Sequence, residues 1–165
     1  MDYRTEYDER KVIKTMNYNY LTPIKFKKLN PKAIVPTQAH PGDAGMDLYA
    51  CIESPVVIAP HKTVKIGTGL AFALPQNTFG AIFARSGLAT KNGVRPSNCV
   101  GVCDLAYRNE YIVALHNDSD EPYTVNPNER IAQLIIMPYI PSQLVEVAEL
   151  DKTERGMGGF GSSGK

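Results

Sequence analysis

The chain of 165 residues carries 18 basic and 17 acidic side chains, for a formal net charge of +1, and is 43% hydrophobic and 21% charged. That length suits one domain with one sizeable core, and the composition excludes disordered and membrane-embedded classes. A chain this close to neutral has no global pull toward duplex nucleic acid, so any phosphate it binds must be held by a local site.

Residues 1–22 form an N-terminal extension in which Tyr3, Tyr7, Tyr18 and Tyr20 are interleaved with charged side chains. It has no apolar run of signal or membrane-spanning length and reads as a mobile or surface-packed segment. From Pro23 the pattern changes to short apolar or alternating runs bounded by Pro, Gly and Asn, and residues 23–150 are read as one β-domain. Strands are predicted at Ile24–Lys28, Met46–Ala50, Val56–Ile58, Thr63–Leu74, Thr78–Ala84, Tyr111–His116, Tyr123–Val125, Arg130–Pro138 and Leu144–Val147. One short helix is expected at Ser86–Lys91. So many short strands at this spacing predict a sandwich, jelly roll or barrel. Residues 151–165 are a glycine-rich arm ending in RGMGGFGSSGK. By composition it is a loose tail, but its close-approach amides, one Arg and one Phe would also suit a clamp on a phosphate and a base.

Cys51, Cys99 and Cys103 are odd in number and lack a CxxC pair, and His40, His61 and His116 show no ligand spacing with them. Neither a disulfide framework nor a zinc site is expected, and a reducing, cytoplasmic setting is the simplest home.

Four stretches carry chemistry-bearing residues. AGMDLYA (Ala44–Ala50) places Asp47 where a small-residue loop enters a strand, as a turn residue or as an acid with a function. ARSGLA (Ala84–Ala89) combines the forked donors of Arg85, the Ser86 hydroxyl and the bare backbone of Gly87 at a strand-to-helix turn. These suit phosphate oxygens, although a plain turn with a surface Arg has the same sequence. In NCVGVCDLAYRNEYIV (Asn98–Val113) the middle, DLAYRNE, reads as the mouth of a hairpin between VGVC and YIVAL. Asp104 there suits a general base and Tyr107 a platform for a flat ring or sugar; a turn-forming Asp and a cross-strand Tyr fit equally. NERIAQLI (Asn128–Ile135) carries Arg130 and Gln133 inside an apolar strand, where they need partners in a salt bridge, an interface or a site.

Taken together and in this order, these four stretches and the RGMGGFGSSG tail resemble the five motifs of the trimeric dUTPase family, over about Ile24 to Gly164. The resemblance implies an all-β, jelly-roll-like barrel or sandwich subunit with one short helix. It implies a homotrimer whose C-terminal tail is exchanged between subunits and whose three sites each draw on several chains. The implied reaction is Mg2+-assisted hydrolysis of dUTP to dUMP and pyrophosphate by water attack on the α-phosphorus, which lowers dUTP and supplies dUMP for dTMP synthesis. The implied partners are dUTP and the other subunits, with no nucleic acid or membrane.

By position, Asp104 resembles the aspartate that activates the attacking water. Tyr107 resembles the tyrosine that packs on the deoxyribose and excludes a 2′-hydroxyl. Asn98, Val102, Cys103 and Ile112 match the surroundings of uracil. Arg85, Ser86, Gly87 and Gln133 match phosphate binders, and Arg155 the grip on the γ-phosphate. Phe160 resembles the ring that covers uracil, with Gly161 and Ser162 beside the phosphates. Asp47 matches an acid that orders the metal's water shell, and no direct protein ligand to the metal is implied. The chain departs from the family pattern at Ala106, where a second acid is common, at Asn109, where glycine is usual, and at Met157. A dCTP deaminase shares this fold and would need a glutamate acting on the base, for which Glu110 is available. A non-catalytic relative that binds partners through the N-terminal tyrosines would have no need of Asp104.

Overall fold

The computed structural model describes residues 22–156, 158 and 159. The N-terminal extension up to residue 21, Met157, and the arm residues Phe160, Gly161 and Ser162 lie outside the described residues. Eleven strands follow in chain order: β1 (Lys25–Lys28), β2 (Met46–Tyr49), β3 (Val56–Ile58), β4 (Thr63–Gly67), β5 (Leu70–Ala73), β6 (Thr78–Phe83), β7 (Val94–Pro96), β8 (Gly101–Cys103), β9 (Ile112–Asn117), β10 (Tyr123–Val125) and β11 (Arg130–Pro138). The helix α1 (Ser86–Asn92) lies between β6 and β7. The strands pair as β2–β11–β6–β8, β4–β9–β7, β1–β5 and β3–β10, every pairing antiparallel.

Strand alternation builds the core. In β9 the side chains of Val113, Leu115 and Asn117 are buried while Ile112 faces out, the period of two expected of a half-buried strand. Ile58, Ile66, Leu70, Ile82, Val125 and Leu134, from six other strands, join Val113 and Leu115 in one hydrophobic cluster. The result is the expected all-β, jelly-roll subunit. No helix among the described residues is long and apolar enough to cross a membrane.

Three predicted elements differ. The run Thr63–Leu74 divides into β4 and β5 because Gly69 sits at φ 68°. A Cβ there would stand 2.8 Å from both the Ala33 Cβ and the Cys51 Sγ, so the chain needs glycine for close approach as well as for the turn. VGVC and YIVAL are not the paired arms of a hairpin. β8 ladders onto β6, β9 lies between β4 and β7, and the DLAYRNE segment crosses from one sheet to the other. Leu144–Val147 is not a strand. Tyr139 N–H donates to the Asn77 carbonyl (2.9 Å). Beyond it the chain runs out as an arm with Ile140 86% and Leu144 97% exposed.

Candidate active site

The residues expected to bind phosphate gather at one end of the four-stranded sheet. β11 runs between β2 and β6, so Gln133 is the register partner of both Asp47 and Phe83. Arg85 follows β6 by two residues and is the N-cap of α1. Asp47 is a β2 residue, not a turn residue, and is 4% exposed. Its Oδ1 accepts from Arg85 Nε at 2.9 Å and its Oδ2 from Arg130 Nη1 at 3.1 Å. Arg85 Nη1 also donates to the Arg130 carbonyl (3.2 Å). A buried carboxylate needs such partners, and here both of its oxygens have one. Two guanidiniums on one carboxylate leave the cluster with an excess positive charge. Ser86 and Gly87 beside it are exposed. A Cβ on Gly87 would meet nothing within 4 Å, so packing inside the subunit does not require glycine there. The Gln133 side chain lies over Gly45, where a Cβ would stand 3.3 Å from its Cδ.

Tyr123, from β10 of the neighbouring two-stranded sheet, lies close enough to feel the Arg85 charge. Its hydroxyl donates to Glu129 Oε1. Burial first, then this bond and the Glu129 charge, push the phenol up to about 12, and the nearby Arg85 offsets part of the rise.

The second group lies at the other end of β6. Cys103 pairs in register with Gly80, and Ile82 with Gly101, so Asp104 falls beside Phe79. A hollow of about 440 Å3 opens there, lined by Phe79, Val102, Asp104, Leu105, Ala106 and Tyr139. Asp104 is exposed. Its carbonyl accepts from Tyr107 N–H (3.0 Å), which makes the start of the crossing segment a tight turn. Tyr107 is fixed by its hydroxyl, which donates to the Glu110 carbonyl (2.9 Å). Its ring packs on Tyr111 at 5.9 Å between centroids, and Tyr111 packs on Phe72 at 4.6 Å. Val102 and Ile112 are exposed at 62% and 45%.

Burial raises the Cys103 thiol; the Tyr111 hydroxyl offsets part of this and the Asp104 charge adds to the rise. Cys103 therefore stays a neutral thiol near pH 7, unsuited to nucleophilic chemistry. Asn109 is not among the residues at positive φ; its side chain instead accepts from the Glu110 N–H (2.8 Å). The turn there does not need glycine. Glu110 Oε1 accepts from the Gly69 N–H at 2.6 Å and stands where a Cβ on Gly67 would be. That carboxylate secures the β4–β5 turn and is not free to act on a base.

Asn98 is exposed in the turn between β7 and β8, at the end of β8 away from Asp104. Arg155 is exposed in a turn of its own, its Nε donating to the Gly158 carbonyl (3.0 Å). The chain thus brings together Asp47, Arg85, Ser86, Gly87 and Gln133, and separately Val102, Cys103, Asp104, Tyr107 and Ile112. It adds Arg130 to the first set, which the sequence signals only as a charge within an apolar strand. No sequence signal marks Phe79 and Tyr139 as walls of the hollow beside Asp104. Among the described residues no three His, Cys, Asp or Glu side chains cluster as a metal cage.

A family model described as dUTPase matches residues 31–164. The chain is 48% identical over 145 residues to the deoxyuridine 5'-triphosphate nucleotidohydrolase of Nocardia farcinica, covering 87% of each chain. It is 42% identical over 151 residues to the enzyme of that name from Coxiella burnetii, covering 91% of this chain and 99% of that one. Among solved structures, the dUTPase G164S mutant of Staphylococcus bacteriophage 80alpha with dUpNHpp superposes with a TM-score of 0.79 at 27% identity, over 88% of this chain and 100% of that one. A match over most of the chain places this chain in the dUTPase family.

Proposed function

We propose that the protein hydrolyses dUTP to dUMP and pyrophosphate, and that it does so as a homotrimer whose sites are each completed by more than one subunit. The observation that carries the second part is the separation along β6. The six steps from Phe79 to Arg85 span up to roughly 20 Å at ~3.3 Å per strand residue. One α-phosphate cannot touch both Asp104 and Arg85 of the same chain. A neighbouring copy that presents its Arg85 end to the Asp104 end supplies the missing half. The arm supports the same reading: Ile140, Leu144, Val145 and Leu150 are each more than two-thirds exposed, and apolar side chains in such a row need cover from a second surface.

Within such a site Asp104 takes the proton from a water as that water attacks the α-phosphorus. The bond from the α-phosphorus to the α–β bridging oxygen breaks and pyrophosphate leaves. A base so placed contributes about a hundredfold to ten-thousandfold. Arg85, with the Ser86 hydroxyl and the backbone at Gly87, neutralises and orients the phosphates, Gln133 lies near them, and the fixed Tyr107 ring packs on the deoxyribose. Asn98, Val102 and Ile112 surround uracil. Arg155 takes the γ-phosphate, and Phe160, Gly161 and Ser162, which lie outside the described residues, take the base and phosphate roles that the family pattern gives them.

Among the described residues the His, Cys, Asp and Glu donors form no cage; Mg2+ carried by the triphosphate and its waters needs few direct protein ligands. Bound there, Mg2+ would offset phosphate charge.

The deciding assay is pyrophosphate release from dUTP, dCTP, dTTP and UTP with Mg2+, for wild type and Asp104→Asn. The expected result is turnover of dUTP alone, lost by at least about a hundredfold in the variant, with nucleotide binding retained. Ammonia release from dCTP, or no turnover by the folded protein, would sink the reading.

A further inference from the structure

Asn98 sits in the turn that carries the chain from one sheet to another. β7 ends at Pro96 in the β4–β9–β7 sheet, and β8 begins at Gly101 in the four-stranded one. The Ser97 N–H donates to the Ala114 carbonyl (2.8 Å); the next two backbone bonds are internal to the turn, Cys99 N–H to the Pro96 carbonyl (3.1 Å) and Val100 N–H to the Asn98 carbonyl (2.6 Å). Cys99 stands at φ 61°, a left-handed conformation that a residue with a side chain keeps only where its surroundings fix it.

Arg95 supplies that fixture. Its Nη1 donates to the same Pro96 carbonyl (3.1 Å) and lies 4.0 Å from the Cys99 Sγ. Its other edge grips Asp118, with Nε 2.6 Å from Oδ2 and Nη2 3.0 Å from Oδ1. Asp118 is a rigid anchor. It follows the fully buried Asn117, whose Nδ2 donates to the Ile58 and Glu121 carbonyls, and its own N–H donates to the Gly93 carbonyl (2.8 Å). His116, the register partner of Arg95, is tied to Thr63 through Nδ1 (2.9 Å) and has its Nε2 3.4 Å from Asp118 Oδ1. A two-pronged pair of arginine and carboxylate fixes direction as well as distance, so Nη1 meets the turn at a set angle. A half-exposed ion pair of this kind adds little to stability, and its loss should be felt in the turn more than in the fold.

We propose that Arg95, clamped by Asp118, is a positioning residue that sets the turn bearing Asn98 and through it the fit of the base. The proposal rests on the reading of Asn98 as part of the uracil surroundings. It leaves phosphate binding and the chemical step at Asp104 untouched.

The test compares wild type with Arg95→Met, Asp118→Ala and the double variant, each first shown to assemble as wild type does. Arg95→Met should raise KM for dUTP about tenfold while kcat stays within about twofold. In calorimetry, dUMP should bind about tenfold more weakly and tripolyphosphate as it does to wild type. The double variant should be no worse than Arg95→Met alone. A merely structural pair would lower the melting temperature and leave KM and dUMP affinity where they were, which would overturn the proposal. So would multiplying losses, or tripolyphosphate binding that falls in step with dUMP binding. Should Arg95→Met fail to assemble, Asp118→Ala frees the guanidinium at a 43% exposed position. It should then weaken dUMP severalfold, and an unchanged dUMP affinity would overturn the proposal. A wild type that neither turns over dUTP nor binds dUMP would remove the dUTP reading and this inference with it. A wild type that does both, with variants that match it, would remove this inference alone.

Discussion

The two ends of β6 are organised by different forces. At the Arg85 end a buried carboxylate between two guanidiniums fixes the side chains, and the order there is electrostatic. At the Asp104 end the order comes from packing: Tyr107 rests on Tyr111 and Tyr111 on Phe72, while Asp104 itself stays exposed beside an apolar hollow. Phosphates need fixed donors and excess positive charge, whereas a sugar and a base need flat, rigid walls. The chain makes each surface well and holds the two at opposite ends of β6. Under the proposed function, this difference makes the contact between copies, and not the single fold, the working unit.

The largest effect expected from breaking this comparison is complementation. Asp104→Asn damages one end and Arg85→Ala the other, so each homotrimer should be nearly inactive. Chains mixed one to one, unfolded and reassembled together, should regain activity in roughly a quarter of the sites, those that pair an intact Asp104 with an intact Arg85 from another chain. Pyrophosphate release before and after mixing checks it. Reassembly into mixed trimers with no gain would mean that both ends serve the same substrate from one chain.

Where the sequence is legible, local signals decide. Val56–Ile58, Tyr123–Val125 and Arg130–Pro138 have the same bounds in the pattern and in the structure, because turn residues flank runs of β-formers. Thr63–Leu74 reads as unbroken because its break is a tertiary demand, the approach of Ala33 and Cys51 to Gly69. The pattern marks VGVC and Tyr111–His116 as strand-like but cannot name their partners, and so it suggests a hairpin where the chain changes sheets. The short β7, with Pro96 inside it, carries no signal of its own. Leu144–Val147 has a strand's composition without a partner in the subunit. In the site, the residue types at Arg85, Asp104 and Tyr107 announce their chemistry. The pairing of Asp47 with side chains 38 and 83 positions away does not, since only the folded sheet brings them together.

Each end also carries one tyrosine with a raised pKa, and alkaline pH should expose the contrast. Tyr123, pushed up to about 12, donates to Glu129 when neutral. Its folded pKa lies above the unfolded value of 10, so the unfolded chain loses the proton first. The stability it contributes is complete below pH 10 and is lost as pH rises to about 12. Melting temperatures across that window should fall in wild type, and Tyr123→Phe should flatten the fall. An identical slope in the variant would show that other groups control the alkaline limit.

The smallest effect belongs to Tyr111. Burial, with the neighbouring Cys103 adding to it, raises this phenol too. Among the described residues its hydroxyl meets no partner at good hydrogen-bond geometry, and the Cys103 thiol beside it makes at most a weak contact. It fits only because Gly80 opposite lacks a Cβ, which would stand 3.1 Å from the oxygen. An unpartnered buried hydroxyl has given up its hydration for nothing, whereas a satisfied one would cost about 1–3 kcal/mol to remove. Tyr111→Phe keeps the ring that supports Tyr107 and deletes only the orphaned oxygen. Denaturant unfolding at fixed protomer concentration should therefore show a change within about 1 kcal/mol, in the direction of greater stability. dUTP turnover should be retained, since the ring stack persists. A loss of about 2 kcal/mol or more would mean that the hydroxyl is held in the assembled protein, with the Cys103 thiol as the nearest group able to hold it. The Asp104 end would then be fixed by polar bonds as well as by packing, and the contrast between the two ends of β6 would narrow.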